Sequence, residues 1–100
     1  GGDWGHGTLN YDGSPHMFHL SGVKLGGLGV TVSHVSGDVY GLTDIKDFPG
    51  IYFKAEAGAT AVKGGTGVWV KNTKGVSIHL QAKADGLALS IGVEGLSISM

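Results

Sequence analysis

Apolar and polar residues alternate along most of the chain, and this alternation predicts short β-strands. The pattern is most regular in the last third, where Val, Ile, Leu or Ala occupies every second position of four successive segments. These positions are Val68 and Val70; Val76, Ile78, Leu80 and Ala82; Leu87, Leu89, Ile91 and Val93; and Leu96, Ile98 and Met100. A two-residue period is typical of a strand with one buried face, so the segments predict an antiparallel meander.

The lengths of the connecting loops fix the register of this meander, because a slip of one residue would turn a strand's apolar side chains to solvent. The three loops are residues 73–75, in which Gly75 is left-handed in a bulge, residues 83–86 and residues 94–95. Each loop brings apolar residues together: Val70 with Ile78, Leu80 with Leu89, and Ile91 with Ile98. Three successive hairpins are therefore predicted.

A further hairpin is predicted near the start of the chain. Asp12-Gly13-Ser14-Pro15 combines residue types that favour a turn, which would place Tyr11 opposite His16. One face of the hairpin is then apolar, and His6 and His19 lie diagonally on the other face. The paired segments are residues 7–11 and 16–20, with Leu9 opposite Phe18.

The rest of the chain completes this strand pattern. Residues 3–6 are predicted to be a loose tail, and the glycine-rich residues 22–29 change the chain direction. Further strands are predicted at residues 28–32, 38–42 and 51–56, the last continuing through residues 57–62.

The two-residue period breaks only in residues 39–52. Apolar residues recur there every three positions: Leu42, Ile45 and Phe48. Thr43 can cap a first helical turn, and Asp44 lies where a helix dipole favours a carboxylate. One short amphipathic helix is predicted near residues 43–48, and it must dock on the strands as a plug over one open end.

The end of this helix is predicted from Pro49. A proline disfavours helical angles in the preceding residue, so Phe48 is expected to leave the helical conformation. Gly50 is then expected to release the chain into the next strand.

Twenty of the hundred residues are glycine, nearly three times the average usage of about 7%. They show no three-residue period, and their position beside strands favours turns and bends of a strongly curved sheet. Gly1 and Gly2 resemble the remnant of a cleaved tag, so residues 3–100 are expected to form a single β domain. The predicted fold is all-β, a small antiparallel β-barrel or sandwich of about nine strands with one short helix.

Charge and composition exclude several classes of function. The formal net charge is −1, the seven basic residues are scattered lysines, and there is no arginine to bind phosphates bidentately, so no nucleic-acid partner is predicted. The chain has no cysteine and therefore no disulfide or thiol chemistry. No run approaches the roughly 18 apolar residues of a membrane span, so no transmembrane segment is predicted.

Trp69 is the first candidate binding residue. In the register set by Gly75, it lies opposite His79 on the face away from Val68 and Val70. An outward tryptophan there either packs on its cross-strand neighbour or contacts a ligand or partner. Both interpretations remain open.

Tyr40 and Tyr52 are further candidates because they flank the predicted helix. They either line the barrel mouth and contact a ligand, or are buried anchors with satisfied hydroxyls. Together with Trp69 and His79 they form the predicted contact set.

His6 and His19 are the candidate metal ligands. His16 and His19 are three residues apart, so on a strand they point to opposite faces, whereas His6 and His19 share a face with Asp3 within reach. A zinc or nickel site is one interpretation, and ordinary histidines on a polar face are the other. No cofactor is predicted.

No arrangement of residues supports catalysis. Asp44 and Asp47 share one side of the short helix, but no histidine or serine is placed beside them by local sequence. Gly64-Gly65-Thr66-Gly67 precedes a strand and lacks the Lys-Ser/Thr ending of a phosphate-binding loop. No Gly-x-Ser-x-Gly motif occurs, so a non-enzymatic protein is predicted.

Several runs are similar to those of EipA-type exported bacterial envelope proteins. They are Val-Tyr-Gly-Leu-Thr-Asp-Ile at 39–45, Gly-Ile-Tyr at 50–52, Ala-Gly-Ala at 57–59 and Gly-Thr-Gly-Val at 65–68, with Gly-Thr-Leu at 7–9 and Gly-Gly-Leu-Gly at 26–29 upstream. The resemblance implies a periplasmic antiparallel β-barrel made with a leader, a role in cell-envelope integrity, and no established catalytic residues.

The predicted function is that of a non-enzymatic exported bacterial protein, surface-accessible or antigenic, which acts as a binding or structural module in the cell envelope. It is expected to be a periplasmic or secreted monomer whose leader has been removed, with an envelope protein or lipid as partner. One alternative is a carrier of a lipid or small apolar ligand in the barrel interior. The other is a weak metal-binding protein.

Overall fold

The computed structural model describes residues 4–26, 35–55, 60–62, 65–82 and 88–100. They form antiparallel strands and one turn of 3-10 helix, Ile45–Asp47, which confirms the predicted all-β class. The strands are β1 (Trp4–Tyr11), β2 (Ser14–Ser21), β3 (Val23–Gly26), β4 (Val35–Tyr40), β5 (Gly50–Lys54), β6 (Thr60–Val62), β7 (Gly65–Lys71), β8 (Ser77–Ala82), β9 (Ala88–Ile91) and β10 (Leu96–Ser99).

One sheet contains most of these strands and curls into a half-barrel. Its order is β1-β2-β10-β5-β7-β8-β4, and β6 also pairs with β7. Since β8 occupies one edge of β7, β5 and β6 share the other edge, and β6 extends the line of β5. Strands β3 and β9 form a separate two-stranded ribbon.

The predicted N-terminal hairpin is confirmed, but its turn is shorter than expected. Tyr11 pairs with Ser14 instead of His16, and only Asp12 and Gly13 lie in the turn, with φ angles of 53° and 77°. Two successive left-handed residues form a type I′ turn, for which Asp-Gly is a favoured sequence. The register differs by two residues, so each face keeps its predicted side chains.

Strand β1 also begins earlier than predicted. Residues 4–6 pair with residues 19–21, so the loose tail predicted at residues 3–6 is wrong for the last three of them. The predicted fourth strand, residues 38–42, is displaced to Val35–Tyr40. The predictions for residues 28–32 and 57–59 lie outside the described residues.

The β7–β8 hairpin has the predicted turn and register. Val70 pairs with Ile78 and Trp69 with His79, and Gly75 is left-handed with φ 90°. The three-residue loop at 73–75 thus sets the register as the sequence indicates.

The predicted pairing of Leu80 with Leu89 is wrong. Leu80 already pairs with Val68 on one side and Gly37 on the other, so β8 has no free edge there. Leu89 pairs instead with Leu25, in the ribbon of β3 and β9.

The predicted pairing of Ile91 with Ile98 is wrong for the same reason. Ile98 lies between Leu20 of β2 and Gly50 of β5, whereas Ile91 pairs with Val23. Strand β10 is therefore inserted between β2 and β5, two strands that are distant from it in sequence.

The predicted helix is reduced to the single 3-10 turn. Asp44, and not Thr43, caps it: an Asp44 carboxylate oxygen accepts a hydrogen bond of 3.0 Å from the backbone N–H of Lys46. A short aspartate side chain serves this role well, because it reaches the free N–H groups of the first turn.

The expectation that Pro49 would hold Phe48 out of the helical conformation is wrong. Phe48 has φ −74° and ψ −46°, and its N–H donates to the Ile45 carbonyl over 3.1 Å. This hydrogen bond and the burial of the phenyl ring outweigh the steric preference imposed by the proline. Gly50, with φ 145°, opens β5 as predicted.

The 3-10 turn docks on the core through Phe48. The ring of Phe48 lies 5.2 Å from that of Phe18 and 6.4 Å from that of Tyr52, both in edge-to-face contact. These rings belong to the larger of two buried clusters, which comprises Leu9, Phe48, Tyr52, Val70, Val76, Ile78, Leu96 and Ile98.

The smaller cluster lies beneath the ribbon of β3 and β9. It consists of Val68, Ala82 and Leu89. Three partly buried side chains pack against both clusters: Val23, Leu80 and Ile91. The ribbon thus covers apolar side chains that the curled sheet alone leaves uncovered.

Two bends meet at Gly22 and Gly95. Gly22 joins β2 to β3, and Gly95 ends a turn in which its N–H donates to the Gly92 carbonyl over 2.9 Å. Both glycines have positive φ, and a Cβ on Gly22 would overlap the carbonyl oxygen of Gly95. Only glycine permits this approach of the two backbones.

Candidate functional site

Three of the four predicted contact residues lie together on the outer face of the sheet. Strands β7, β8 and β4 are neighbours, and their register puts Trp69, His79 and Asp38 in one row across them. Tyr40 lies in the next row, opposite Ser77. The buried clusters occupy the other face, so these side chains point away from the core.

The aromatic rings of this group are in contact. The rings of Trp69 and His79 stack with centroids 4.6 Å apart and an interplanar angle of 17°. The ring of Tyr40 lies 5.4 Å from that of Trp69 at 38°. Ser77 stands between the strands of Tyr40 and Trp69, and its small side chain leaves room for this contact.

Polar groups continue the row beside the rings. The Gln81 amide nitrogen lies 3.2 Å from a carboxylate oxygen of Asp38 and 3.2 Å from the Nδ1 atom of His79. The amide donates to the carboxylate, and these contacts orient all three planar groups. We call Tyr40, Trp69, His79, Asp38 and Gln81 the outer aromatic surface.

Apolar side chains extend along the same face. Phe53 of β5 pairs with Lys71 and is therefore the diagonal neighbour of Trp69, and about half of its surface is exposed. Ile51, one outward position earlier on β5, is 50% exposed. The face therefore combines aromatic, aliphatic and hydrogen-bonding groups.

Tyr52 lies apart from the other predicted contact residues, in the core. It is fully buried, and its hydroxyl donates a hydrogen bond of 2.6 Å to the carbonyl of Phe48. Burial raises the pKa of Tyr52 to about 12, and a hydrogen bond with Asn72 opposes this while the charge of Asp47 adds to it. This position matches the alternative prediction of a buried anchor with a satisfied hydroxyl.

Asn72 is a structurally important polar residue that the sequence analysis did not single out. It is 8% exposed, and its amide nitrogen donates to the Asp47 carbonyl over 2.9 Å. Its side-chain oxygen accepts from the backbone N–H groups of Lys74 and Val76. An asparagine before Thr-Lys-Gly is a recognisable turn signal, but its contact with the 3-10 turn joins residues distant in sequence.

His6 and His19 lie directly opposite each other on the exposed face of the β1–β2 hairpin. The predicted diagonal arrangement is replaced by this closer one because the turn is two residues shorter. Asp3, the third predicted ligand, lies outside the described residues. Within the described ranges, no group of three or more His, Asp or Glu side chains could hold a metal ion.

Buried side chains of the described residues pack together in two places. The rings of Phe18, Phe48 and Tyr52 pack together at one end, and Leu89 packs with Val68 at the other.

A comparison of the chain with protein-family models, curated proteins and solved structures finds no match. The resemblance to EipA-type proteins stays a prediction. In the part of the chain that the structure describes, no helix has the length and apolar character needed to cross a membrane.

Proposed function

We propose that this protein is a non-enzymatic binding module of the bacterial cell envelope and that the outer aromatic surface binds its ligand. The observation that carries the proposal is the grouping of Tyr40, Trp69 and His79 beside Asp38 and Gln81. Binding sites combine apolar rings with a few oriented polar groups in this way. The periplasmic or secreted location rests on the EipA-type resemblance alone.

The chemistry of the surface favours a neutral saccharide as ligand. Aromatic rings pack against the apolar C–H faces of a sugar, and planar carboxylate, amide and imidazole groups exchange hydrogen bonds with its hydroxyls. The chain has no arginine and a net charge of −1, so the binding of an anionic ligand has no electrostatic support.

The geometry leaves Tyr40 as the ring available to the sugar. His79 covers one face of the Trp69 indole, whereas Tyr40 is 51% exposed at the margin of the group. Trp69 then holds the Tyr40 ring in place, and Asp38 provides hydrogen-bonding capacity on the same strand. Tyr40 and Asp38 are therefore the residues expected to contact the ligand.

The test is a titration with neutral oligosaccharides. The chain has two tryptophans, so Trp4→Phe leaves Trp69 as the only indole reporter of binding. An N-acetylglucosamine tetrasaccharide and maltotetraose serve as probes, and a saturable change in Trp69 fluorescence is expected with at least one of them.

Variants locate the binding site, with affinity measured by calorimetry. Tyr40→Ala and Asp38→Ala are each expected to lower affinity by about tenfold or more, since each removes a direct contact worth roughly 1–2 kcal/mol. Ile51→Ala is the matched control, because Ile51 is equally exposed on the same face but outside the outer aromatic surface. Absence of saturable binding, or equal affinities for Tyr40→Ala and Ile51→Ala, would overturn the proposal.

A further inference from the structure

We propose that the exposed face of the β1–β2 hairpin is a binding site for a soft monovalent metal ion, Cu(I), with His6, His19 and Met17 as ligands. This site lies at the opposite end of the sheet order from the outer aromatic surface, and it does not depend on the function proposed above.

The register shows how close the two histidines stand. Pro15 has no N–H group, so its pair with Asn10 is a non-hydrogen-bonded pair of the ladder. Hydrogen-bonded and non-hydrogen-bonded pairs alternate along an antiparallel ladder. His6 and His19 are four residues along the ladder from Asn10 and Pro15, so they too form a non-hydrogen-bonded pair. Residues in these pairs have Cα atoms about 4.5 Å apart and the closest side chains, so one ion can meet both imidazoles.

Both imidazoles are available as ligands. His6 and His19 are exposed, and the structure shows no hydrogen bond or ring contact between either of them and another described residue. No rearrangement of the hairpin core is needed for a metal ion to reach them, because the apolar side chains lie on the other face.

Met17 supplies a third donor of a different kind. It points to the same face, two residues before His19 and diagonally across from His6, within reach of a long flexible side chain. It is 71% exposed among polar neighbours such as Thr8 and Asn10, where it has no packing role.

The donor set selects the ion. A thioether is a soft ligand that favours Cu(I). Zinc and nickel would bind to the two imidazoles and gain little from the methionine. The thioether of Met17 therefore favours Cu(I) over the zinc or nickel ion predicted from the sequence. The chain contains no cysteine, so no thiol competes for the ion.

Nuclear magnetic resonance with Ag(I), a diamagnetic stand-in for Cu(I), tests the ligands directly. The chain has only two methionines, so Met100, which is also exposed, is an internal control. Saturable shifts are expected for the Met17 methyl group and the rings of His6 and His19, with the Met100 methyl unchanged. Equal shifts of the two methionine methyl groups, or no saturable shift, would overturn the proposal.

Affinity measurements with Cu(I) in competition with a chromogenic chelator, and with Zn(II), test the selectivity. Met17→Leu is expected to lower the Cu(I) affinity about tenfold or more and to change the Zn(II) affinity less than about twofold. Met100→Leu is expected to change neither.

Histidine variants complete the test. His6→Asn and His19→Asn are each expected to lower the Cu(I) affinity about tenfold or more, whereas His16→Asn, on the opposite face of the hairpin, leaves it unchanged. Circular dichroism establishes that each variant is folded. Unchanged Cu(I) affinity in both His6→Asn and His19→Asn, or equal affinities for Met17→Leu and Met100→Leu, would contradict the assignment.

Discussion

Asn72 and Tyr52 supply the polar side chains that hold the 3-10 turn against the sheet. Asn72 donates to the carbonyl of Asp47, and Tyr52 donates to that of Phe48, so two successive backbone carbonyls are satisfied by side chains from β5 and the β7–β8 loop. Buried carbonyls without such partners would destabilise the fold by about 1–3 kcal/mol each. A turn too short to be stable alone is thus fixed by side-chain hydrogen bonds.

Raising the pH from 10 to 12 is expected to destabilise the protein through Tyr52. An ordinary tyrosine ionises near pH 10, whereas burial raises the pKa of Tyr52 to about 12 in the folded state. Below pH 10 the hydroxyl is protonated in the folded and the unfolded state, so its full contribution to the stability of the fold is present. Between pH 10 and 12 the unfolded chain loses the proton first, so the free energy of unfolding falls.

Urea unfolding across this pH range measures the effect. The free energy of unfolding should fall more steeply for the wild-type protein than for Tyr52→Phe, which has no ionisable group at this position. Tyr40→Phe, which removes a tyrosine hydroxyl from the outer face, is the matched control. Parallel curves for wild type and Tyr52→Phe would show that Tyr52 ionisation is not coupled to folding.

The position of a residue could be predicted from the sequence when the residues around it are close to it in the chain. Trp69 and His79 were placed correctly because a three-residue loop in the same hairpin fixes their register. The contact of Tyr40 with Trp69 depends on β4 pairing with β8, residues far apart in sequence. Asn72 likewise contacts Asp47 of the 3-10 turn, 25 residues away in sequence, and its role was not predicted.

At the bends of Gly22 and Gly95 the chain passes between the main sheet and the ribbon of β3 and β9. Ser21 pairs with Ser97 in the main sheet, and Val23 pairs with Ile91 in the ribbon. Between these two pairs the N-terminal segment has moved by two residues and the C-terminal segment by six. The four extra residues form the turn at 92–95 and shift the register of β9 relative to β10. The close backbone contact at the two glycines allows this offset.

Gly22→Ala is expected to destabilise the protein more than Gly13→Ala. Both glycines have positive φ, which costs an alanine roughly 1–2 kcal/mol, but only at Gly22 does the new Cβ overlap backbone, namely the Gly95 carbonyl. The additional cost is expected to be about 1–3 kcal/mol. Urea unfolding of the two variants measures the difference, and equal destabilisation would contradict the backbone contact.

Elements were predictable where strands adjacent in sequence are also adjacent in the sheet. The hairpins β1–β2 and β7–β8 followed from turn residues and loop lengths. Loop length gave the wrong partners for β9 and β10, because each pairs with a segment from the first half of the chain. Both the predicted and the observed strand pairings place apolar residues opposite each other, so the alternation of apolar and polar residues alone could not distinguish them.

The whole molecule is organised around two buried clusters on the concave side of the half-barrel. Phe48 belongs to the larger cluster and Leu89 to the smaller, and Leu80 packs against both. Phe48 and Leu89 belong to different clusters, so a change in one is expected to have little effect on the other.

Double mutants test this division. The destabilisations caused by Phe48→Leu and Leu89→Ala should add to within about 0.5 kcal/mol, because the two side chains lie in different clusters. Leu80→Ala combined with Leu89→Ala should depart from additivity by more than this, since these two side chains pack in one cluster. Chemical unfolding of the single and double mutants gives the values, and strong coupling of Phe48 to Leu89 would indicate one continuous core.

The position of β10 in the sheet has a consequence for the order in which the protein can acquire its structure. β10 is the last of the described strands to leave the ribosome, yet it lies in the middle of the sheet, between β2 and β5. Until it emerges, two nascent portions of the sheet have no strand to join them. Completion of the half-barrel must therefore await the synthesis of β10, and until then exposed strand edges on both portions are available to chaperones.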